Sequence, residues 1–170
     1  YSSRRPILCI TKHDEAIWAA TEGDGLFRIC TESGAIRDYT HSTGNSISSN
    51  YVRTLSSDMY GRLWVGTFNG LDIIDDDRIF NIESDPFTPG SLSQPSVRCI
   101  TRDNQGGMWL GTWFGGLNYW HPLKGRFRNI QRTIYGDSLN DNTISCIAED
   151  SDNTLWIGTK SGGLNHYYPE

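Results

Sequence analysis

Three aspartates recur at a fixed distance from a tryptophan: Asp58, Asp103 and Asp150 lie six residues before Trp64, Trp109 and Trp156. Carboxylates can act as acids, bases or calcium ligands. Each of these, however, opens a run of turn residues, where an Asx side chain caps its own backbone. A glycosidase or lyase needs two carboxylates flanking a cleft. The non-repeated Glu22 and Asp24 share one loop, with no partner visible in the sequence. The histidines His13, His41, His121 and His166 form no HExxH or similar set. Cys9, Cys30, Cys99 and Cys146 form no C-x-x-C and no zinc spacing. Gly115-Gly116 with Asn118 does not make a GxGxxG. No catalytic group, metal site or cofactor is expected. The remaining chemistry is aromatic and cationic. "MWLGTWFGGLNYW" carries Trp113 and Phe114, which other parts of the chain do not duplicate, and Arg53 and Arg98 open two related strands.

Composition narrows the classes. The chain has 170 residues, the length of one ordinary domain, with 20 acidic and 15 basic residues and a net charge of -5. No Lys/Arg-rich run supplies a nucleic-acid footprint. No stretch of about 18 apolar residues could cross a membrane as a helix. The N-terminal "YSSRRPILCI" lacks the long apolar region of an intact signal peptide. Either the chain is cytosolic, or its targeting segment was removed or never included.

The elements that position these residues come from a repeat. Trp18, Trp64, Trp109 and Trp156 are separated by 46, 45 and 47 residues. Their flanks repeat as well: "ILCITKHD", "VRTLSSDMYG", "VRCITRDNQG" and "ISCIAEDSDN" precede them, and "NSISSN", "GSLSQP" and "DSLNDN" lie further upstream. The pieces between turn signals are about five residues long and rich in β-branched and aromatic residues, without a helical period. In the third unit "SVRCITRD", "MWLGT", "LNYW" and "RFRNIQ" read as four strands. Four antiparallel strands in about 45 residues is the anatomy of a propeller blade. The expected fold is all-β: a β-propeller segment of about four blades over residues 6–46, 51–92, 96–140 and 143–170, the last lacking its fourth strand.

Simple alternation puts Val97, Cys99 and Thr101 on one face of the first strand and Arg98, Ile100 and Arg102 on the other. Both faces carry buried-type residues, as a strand between stacked blades requires. Cys9, Cys99 and Cys146 hold one position in separate blades. They are read as small buried hydrophobes, too far apart for a disulfide. The four tryptophans are expected in equivalent buried positions, and the Gly66, Gly111 and Gly158 positions permit close approach of a neighbouring strand.

At "DMYGRLWVGTFNGL" (Asp58 to Leu71), "DNQGGMWLGTWFGGL" and "DSDNTLWIGTKSGGL" the chain resembles the two-component regulator propeller repeat. The first unit departs most, with "HDEAIWAAT" lacking the turn glycine. The fourth has Asn153 in its place, which suits a left-handed turn position nearly as well. Kelch spacing is absent, and the sialidase Asp-box puts its aspartate five residues before the tryptophan. The resemblance implies the periplasmic sensor region of a Bacteroides-type hybrid two-component histidine kinase. Such regions hold seven-bladed rings, and many respond to polysaccharide breakdown products.

The expected function is therefore extracytoplasmic recognition of an oligosaccharide. A protein-interaction or oligomerisation scaffold without a small ligand, and a propeller lyase or glycosidase, stay open as alternatives. Non-repeated loop residues on a repeated scaffold are where specificity resides. The candidate ligand-binding residues are Trp113, Phe114, Phe68, Asn69, Arg53, Arg98 and Asn142, with Asn50, Gln94 and Asn140 nearby. Trp113 is expected either as a sugar-stacking platform or as an aromatic plug. Arg53 and Arg98 would favour an acidic or sulfated sugar if they face the channel. The expected partners are the oligosaccharide and the remaining blades of a parent chain or a second copy; neither nucleic acid nor direct membrane insertion is expected.

Overall fold

The computed structural model describes residues 4–169 and contains fifteen strands in four antiparallel sheets. Blade 1 is β1 (Ile7–His13), β2 (Ala16–Thr21), β3 (Leu26–Cys30) and β4 (Ile36–Tyr39). Blade 2 is β5 (Val52–Ser57), β6 (Leu63–Thr67), β7 (Gly70–Asp75) and β8 (Arg78–Ile82). Blade 3 is β9 (Val97–Arg102), β10 (Met108–Thr112), β11 (Leu117–Trp120) and β12 (Phe127–Ile130). Blade 4 has three described strands, β13 (Ile144–Glu149), β14 (Leu155–Thr159) and β15 (Gly163–Tyr167). Strands follow chain order within every sheet, and β1, β5, β9 and β13 lie side by side at the inner edges. The fold is an all-β propeller segment, and no helix among the described residues is long and apolar enough to cross a membrane.

Three cores lie between the blades. Trp18, Ala20 and Leu26 of blade 1 meet Val52, Leu55 and Val65 of blade 2. Trp64 and Leu71 meet Val97, Ile100 and Leu110. Trp109 and Leu117 meet Ile144, Leu155 and Ile157. Each tryptophan thus faces the following blade. The glycine two residues on lets that blade approach: a methyl group on Gly111 would lie 2.5 Å from Cγ2 of Ile144 and 2.5 Å from Sγ of Cys99.

Two sequence expectations need correction at the fourth blade. Trp156 is 37% exposed where Trp64 is 0%, and Cys146 is exposed rather than buried. Both lie on the side a following blade would cover. Blade 1 shows the converse. Ile10 is 64% exposed, although its counterparts Leu55 and Ile100 are buried against the preceding blade.

The alternation read from the sequence also fails, for a local reason. In every inner strand the pairing slips by one residue near its start: Ile7 pairs with Thr21 but Cys9 with Ala20, and Val97 with Thr112 but Cys99 with Gly111. The same slip separates Val52 from Thr54 and Ile144 from Cys146. A bulge of this kind places two residues opposite one and re-aims the extra side chain. Val97 and Ile100 consequently share the face toward Gly66 of blade 2, while Cys99 joins the core toward blade 4. Leu8, Arg53, Arg98 and Ser145 are the inserted residues.

Candidate functional site

The recurring aspartates clasp their tryptophans. Asp58 Oδ2 accepts the Trp64 indole N–H at 2.9 Å, Asp103 Oδ2 that of Trp109 at 2.9 Å, and Asp150 Oδ2 that of Trp156 at 2.7 Å. The Oδ1 atoms of Asp58 and Asp103 take turn amides from Tyr60, Arg62, Gln105 and Gly107. Asn153 sits in the left-handed region, as Gly61 and Gly106 do at the equivalent turn position. Burial pushes the Asp58 carboxyl up. Its bonds from Trp64, Arg62 and Tyr60 outweigh that and hold it below the usual range. Blade 1 has no such aspartate, and the Trp18 indole nitrogen is buried without a partner among the described residues. The constant six-residue spacing was the available signal for this clasp.

A second repeated anchor, missed in the sequence, holds the connections between blades. Asp72 accepts the Ser48 amide at 2.8 Å, the Ser48 hydroxyl and the Asn81 Nδ2. At the same position Asn118 Oδ1 accepts the Ser93 amide while its Nδ2 donates to Ser93 Oγ, and Asn165 Oδ1 accepts the Asn140 amide while its Nδ2 donates to Asn140 Oδ1. Burial raises the Asp72 carboxyl above its ordinary value despite these bonds.

The face bearing the β2–β3, β6–β7, β10–β11 and β14–β15 loops is organised by one hydrogen bond per blade. Glu22, Phe68, Trp113 and Lys160 each donate a backbone N–H to the segment entering their own blade, at Pro6, Tyr51, Ser96 and Thr143. These four residues are therefore structurally equivalent, and their side chains alone differ. Gly23, Gly70 and Gly116 bond across to Asn50, Pro95 and Asn142 of the next connection.

On this face the structure assembles two groups. The Arg53 guanidinium lies 5.1 Å from the Phe68 ring centre and donates Nη1 to Ser96 Oγ at 2.6 Å. Phe68 also meets Tyr51, and both are exposed. Next to them, the Arg98 guanidinium lies 4.5 Å from the Trp113 ring centre and the Lys160 ammonium 4.4 Å from it. Phe114 stands edge-on to Trp113 at 5.3 Å and is 63% exposed. Its φ of 71° is unusual for a bulky residue. Trp113 itself is half-buried beneath its neighbours. Asn69 is exposed beside Phe68.

The amides do not join these groups as open donor–acceptor pairs. Asn142 Oδ1 accepts the Arg132 amide at 2.6 Å, Asn50 Oδ1 the His41 amide, and Gln94 Oε1 the Ser96 amide. Asn140 is bonded to Gly162, Thr159 and Asn165. Gln94 closes a turn, and the three asparagines tie the connections between blades to neighbouring segments.

A groove of about 370 Å³ lies on the opposite face between blades 3 and 4, lined by Asp103, Tyr119, Lys124, Arg128 and Glu149 among others. Its acids are committed, Asp103 to Trp109 and Glu149 to the Asn104 amide. Burial and the adjacent Asp103 push the Tyr119 hydroxyl up to about 12. The loop face, by contrast, presents exposed rings beside cations that form no ion pair among the described residues. Among the described residues no cluster of three or more His, Cys, Asp or Glu could hold a metal ion.

Comparison with known proteins fits the architecture. A family model, the two-component regulator propeller, matches residues 46–69, 91–114 and 138–161. No curated protein sequence matches. Among solved structures, the extracellular domain of a protein described as a hybrid two-component system from B. thetaiotaomicron aligns at TM-score 0.64 and 19% identity, over 98% of this chain and 28% of that one. A second such domain from the same organism aligns at 0.56 and 21%, over 98% and 28%. Virginiamycin B lyase from Staphylococcus aureus aligns at 0.68 and 18%, over 98% and 56%. The chain thus spans little more than a quarter of the two-component domains and about half of the lyase. It is a β-propeller segment, three stretches of which match the two-component regulator propeller repeat.

Proposed function

We propose that this segment is part of the periplasmic sensor region of a membrane-anchored hybrid two-component histidine kinase, and that its loop face recognises an oligosaccharide. The repeat family and the extracellular two-component domains that share the fold support the sensor reading. The observation that carries the ligand site is the loop face itself. One scaffold position, fixed by the same backbone bond in each blade, bears Glu22, Phe68, Trp113 and Lys160. The scaffold does not demand these side chains, since they differ in every blade.

Phe114 adds weight. A bulky residue held at φ 71° and mostly exposed is a local cost that its edge-on contact with Trp113 offsets only in part. Phe68 and Phe114 offer the open ring faces, and Trp113 supports the cations beneath them. Sugar rings present apolar faces edged by hydroxyls, which suit such a surface. In this reading the segment responds through different affinities in two signalling states.

The test is calorimetry of the chain against a panel of polysaccharide fragments. Phe114→Gly should relieve the backbone and leave the melting temperature equal or higher, while weakening the bound fragment more than tenfold, about 1.4 kcal/mol. Unchanged affinity in Phe114→Gly and Phe68→Ala would remove the site from this face. A second reading, a scaffold for other blades or another copy, draws on the exposed Ile10 and Trp156 at the two ends of the segment.

A further inference from the structure

Chain alternation alone would not send Arg53 and Arg98 to the loop face beside Phe68 and Trp113; the bulges do. The bulge position carries Leu8, Arg53, Arg98 and Ser145 in the four blades, so the scaffold needs no cation there. In blade 4 the cation comes instead from Lys160, at the loop position equivalent to Trp113. Three cations thus gather on one face of a chain whose net charge is -5.

Their partners are incomplete. Arg53 is committed to Ser96 and to the Phe68 ring, and Glu22 of blade 1 acts on it electrostatically, as does Arg98. Arg98 and Lys160 have no carboxylate within ion-pair range among the described residues. Both lean on Trp113. Moreover, Nη1 of Arg98 is buried and has no hydrogen-bond partner among the described residues. A buried guanidinium donor normally finds an acceptor. Two like charges held against one ring repel each other unless an anion joins them.

We infer that Arg98 and Lys160, set on Trp113, bind an oxyanion, a carboxylate or sulfate group carried by the oligosaccharide, with Arg53 adding long-range attraction. This rests on the loop face being the ligand site. The planar guanidinium fork matches either group in a two-point bond, and Lys160 supplies a second charge. Phe68 and Phe114 then flank the sugar that bears the anion.

The test titrates the whole chain by calorimetry with three probes: trigalacturonate, the neutral galactose trisaccharide and sodium sulfate. Trigalacturonate should bind at least tenfold tighter than the neutral sugar, more weakly as salt rises, and sulfate should compete with it. Arg98→Gln and Lys160→Gln should each weaken trigalacturonate and sulfate at least fivefold. Arg98→Lys should keep part of the affinity, and Lys12→Gln at the far end of β1 should change nothing. Melting curves exclude unfolding as the cause. Sulfate binding that depends on Arg98, without binding of either sugar, supports the anion site and removes the oligosaccharide reading. Equal affinity for the charged and neutral sugars, unaffected by Arg98→Gln, overturns the anion site and leaves the oligosaccharide reading standing. No binding of sulfate or of either sugar overturns both.

Discussion

Replacing one blade tryptophan by phenylalanine should cost very different amounts in different blades. Trp64 is fully buried and donates its indole N–H to Asp58 at 2.9 Å. Trp64→Phe deletes a hydrogen bond to a charged acceptor, about 1.5–3 kcal/mol. It also leaves part of the indole volume empty, roughly another 1 kcal/mol. Trp18 occupies the same position in blade 1, packed near Tyr39 and His13, but its N–H has no acceptor among the described residues. Trp18→Phe loses similar volume while removing a buried unsatisfied donor, whose desolvation cost of about 1–3 kcal/mol disappears. The expected change is therefore a loss of about 2.5–4 kcal/mol for Trp64→Phe and, for Trp18→Phe, between no change and a gain of about 2 kcal/mol.

Urea melts at pH 7, followed by far-UV circular dichroism, read this difference. Blades can unfold separately, so midpoints and slopes should be compared for the same phase. The difference should also depend on pH. Asp58 is held below the ordinary carboxylate range, so its folded form binds protons more weakly than the unfolded chain does. Its contribution is present above the unfolded pKa and lost as pH falls through the folded one. Near the acid end of stability the Trp64→Phe penalty should shrink toward that of a neutral hydrogen bond, about 0.5–1.5 kcal/mol. Equal losses for the two variants at pH 7, or a larger loss for Trp18→Phe, would refute the clasp as a stabilising device.

Asp72 carries the opposite sign. Burial raises its folded pKa, so the folded chain binds that proton more tightly, and this group's contribution falls as pH rises from the ordinary aspartate range through the raised value. Asp72→Asn, which copies Asn118 and Asn165, should leave the melting temperature at pH 7 equal or higher and flatten that dependence; a loss above about 1 kcal/mol would count against it. The thiols should react in order of access. Burial pushes Cys99 up to about 12, whereas Cys146 is exposed, so iodoacetamide at pH 8 should modify Cys146 before Cys99, and mass spectrometry showing the reverse order would contradict the packing. The open faces at Ile10 and Trp156 should make the isolated 170-residue chain self-associate. Light scattering would show this, Ile10→Asp should reduce it, and a monomer at high concentration would oppose it.

What the sequence disclosed depended on whether a feature repeats by period or by contact. The tryptophan spacing and strand-length pieces specify four sheets, because strand composition and turn residues act locally. The bulge does not follow from a period-2 pattern, since one inserted residue moves every later side chain to the other face. That single slip separates Val97 from Cys99 and turns Arg98 toward Trp113. The carbonyls of the amides expected to meet a sugar instead accept backbone N–H groups, locally for Gln94 and from a residue ten positions back for Asn142. Trp156 and Cys146 depend on what stands beside blade 4, which no local pattern encodes. Lys160 is the instructive case. It stands at the loop position of Trp113, yet only the packing of blade 4 against blade 3 brings the two side chains to 4.4 Å. Scaffold residues are legible because each blade restates them. A binding face is composed of the positions where the blades disagree, and its chemistry exists only after adjacent blades are set side by side.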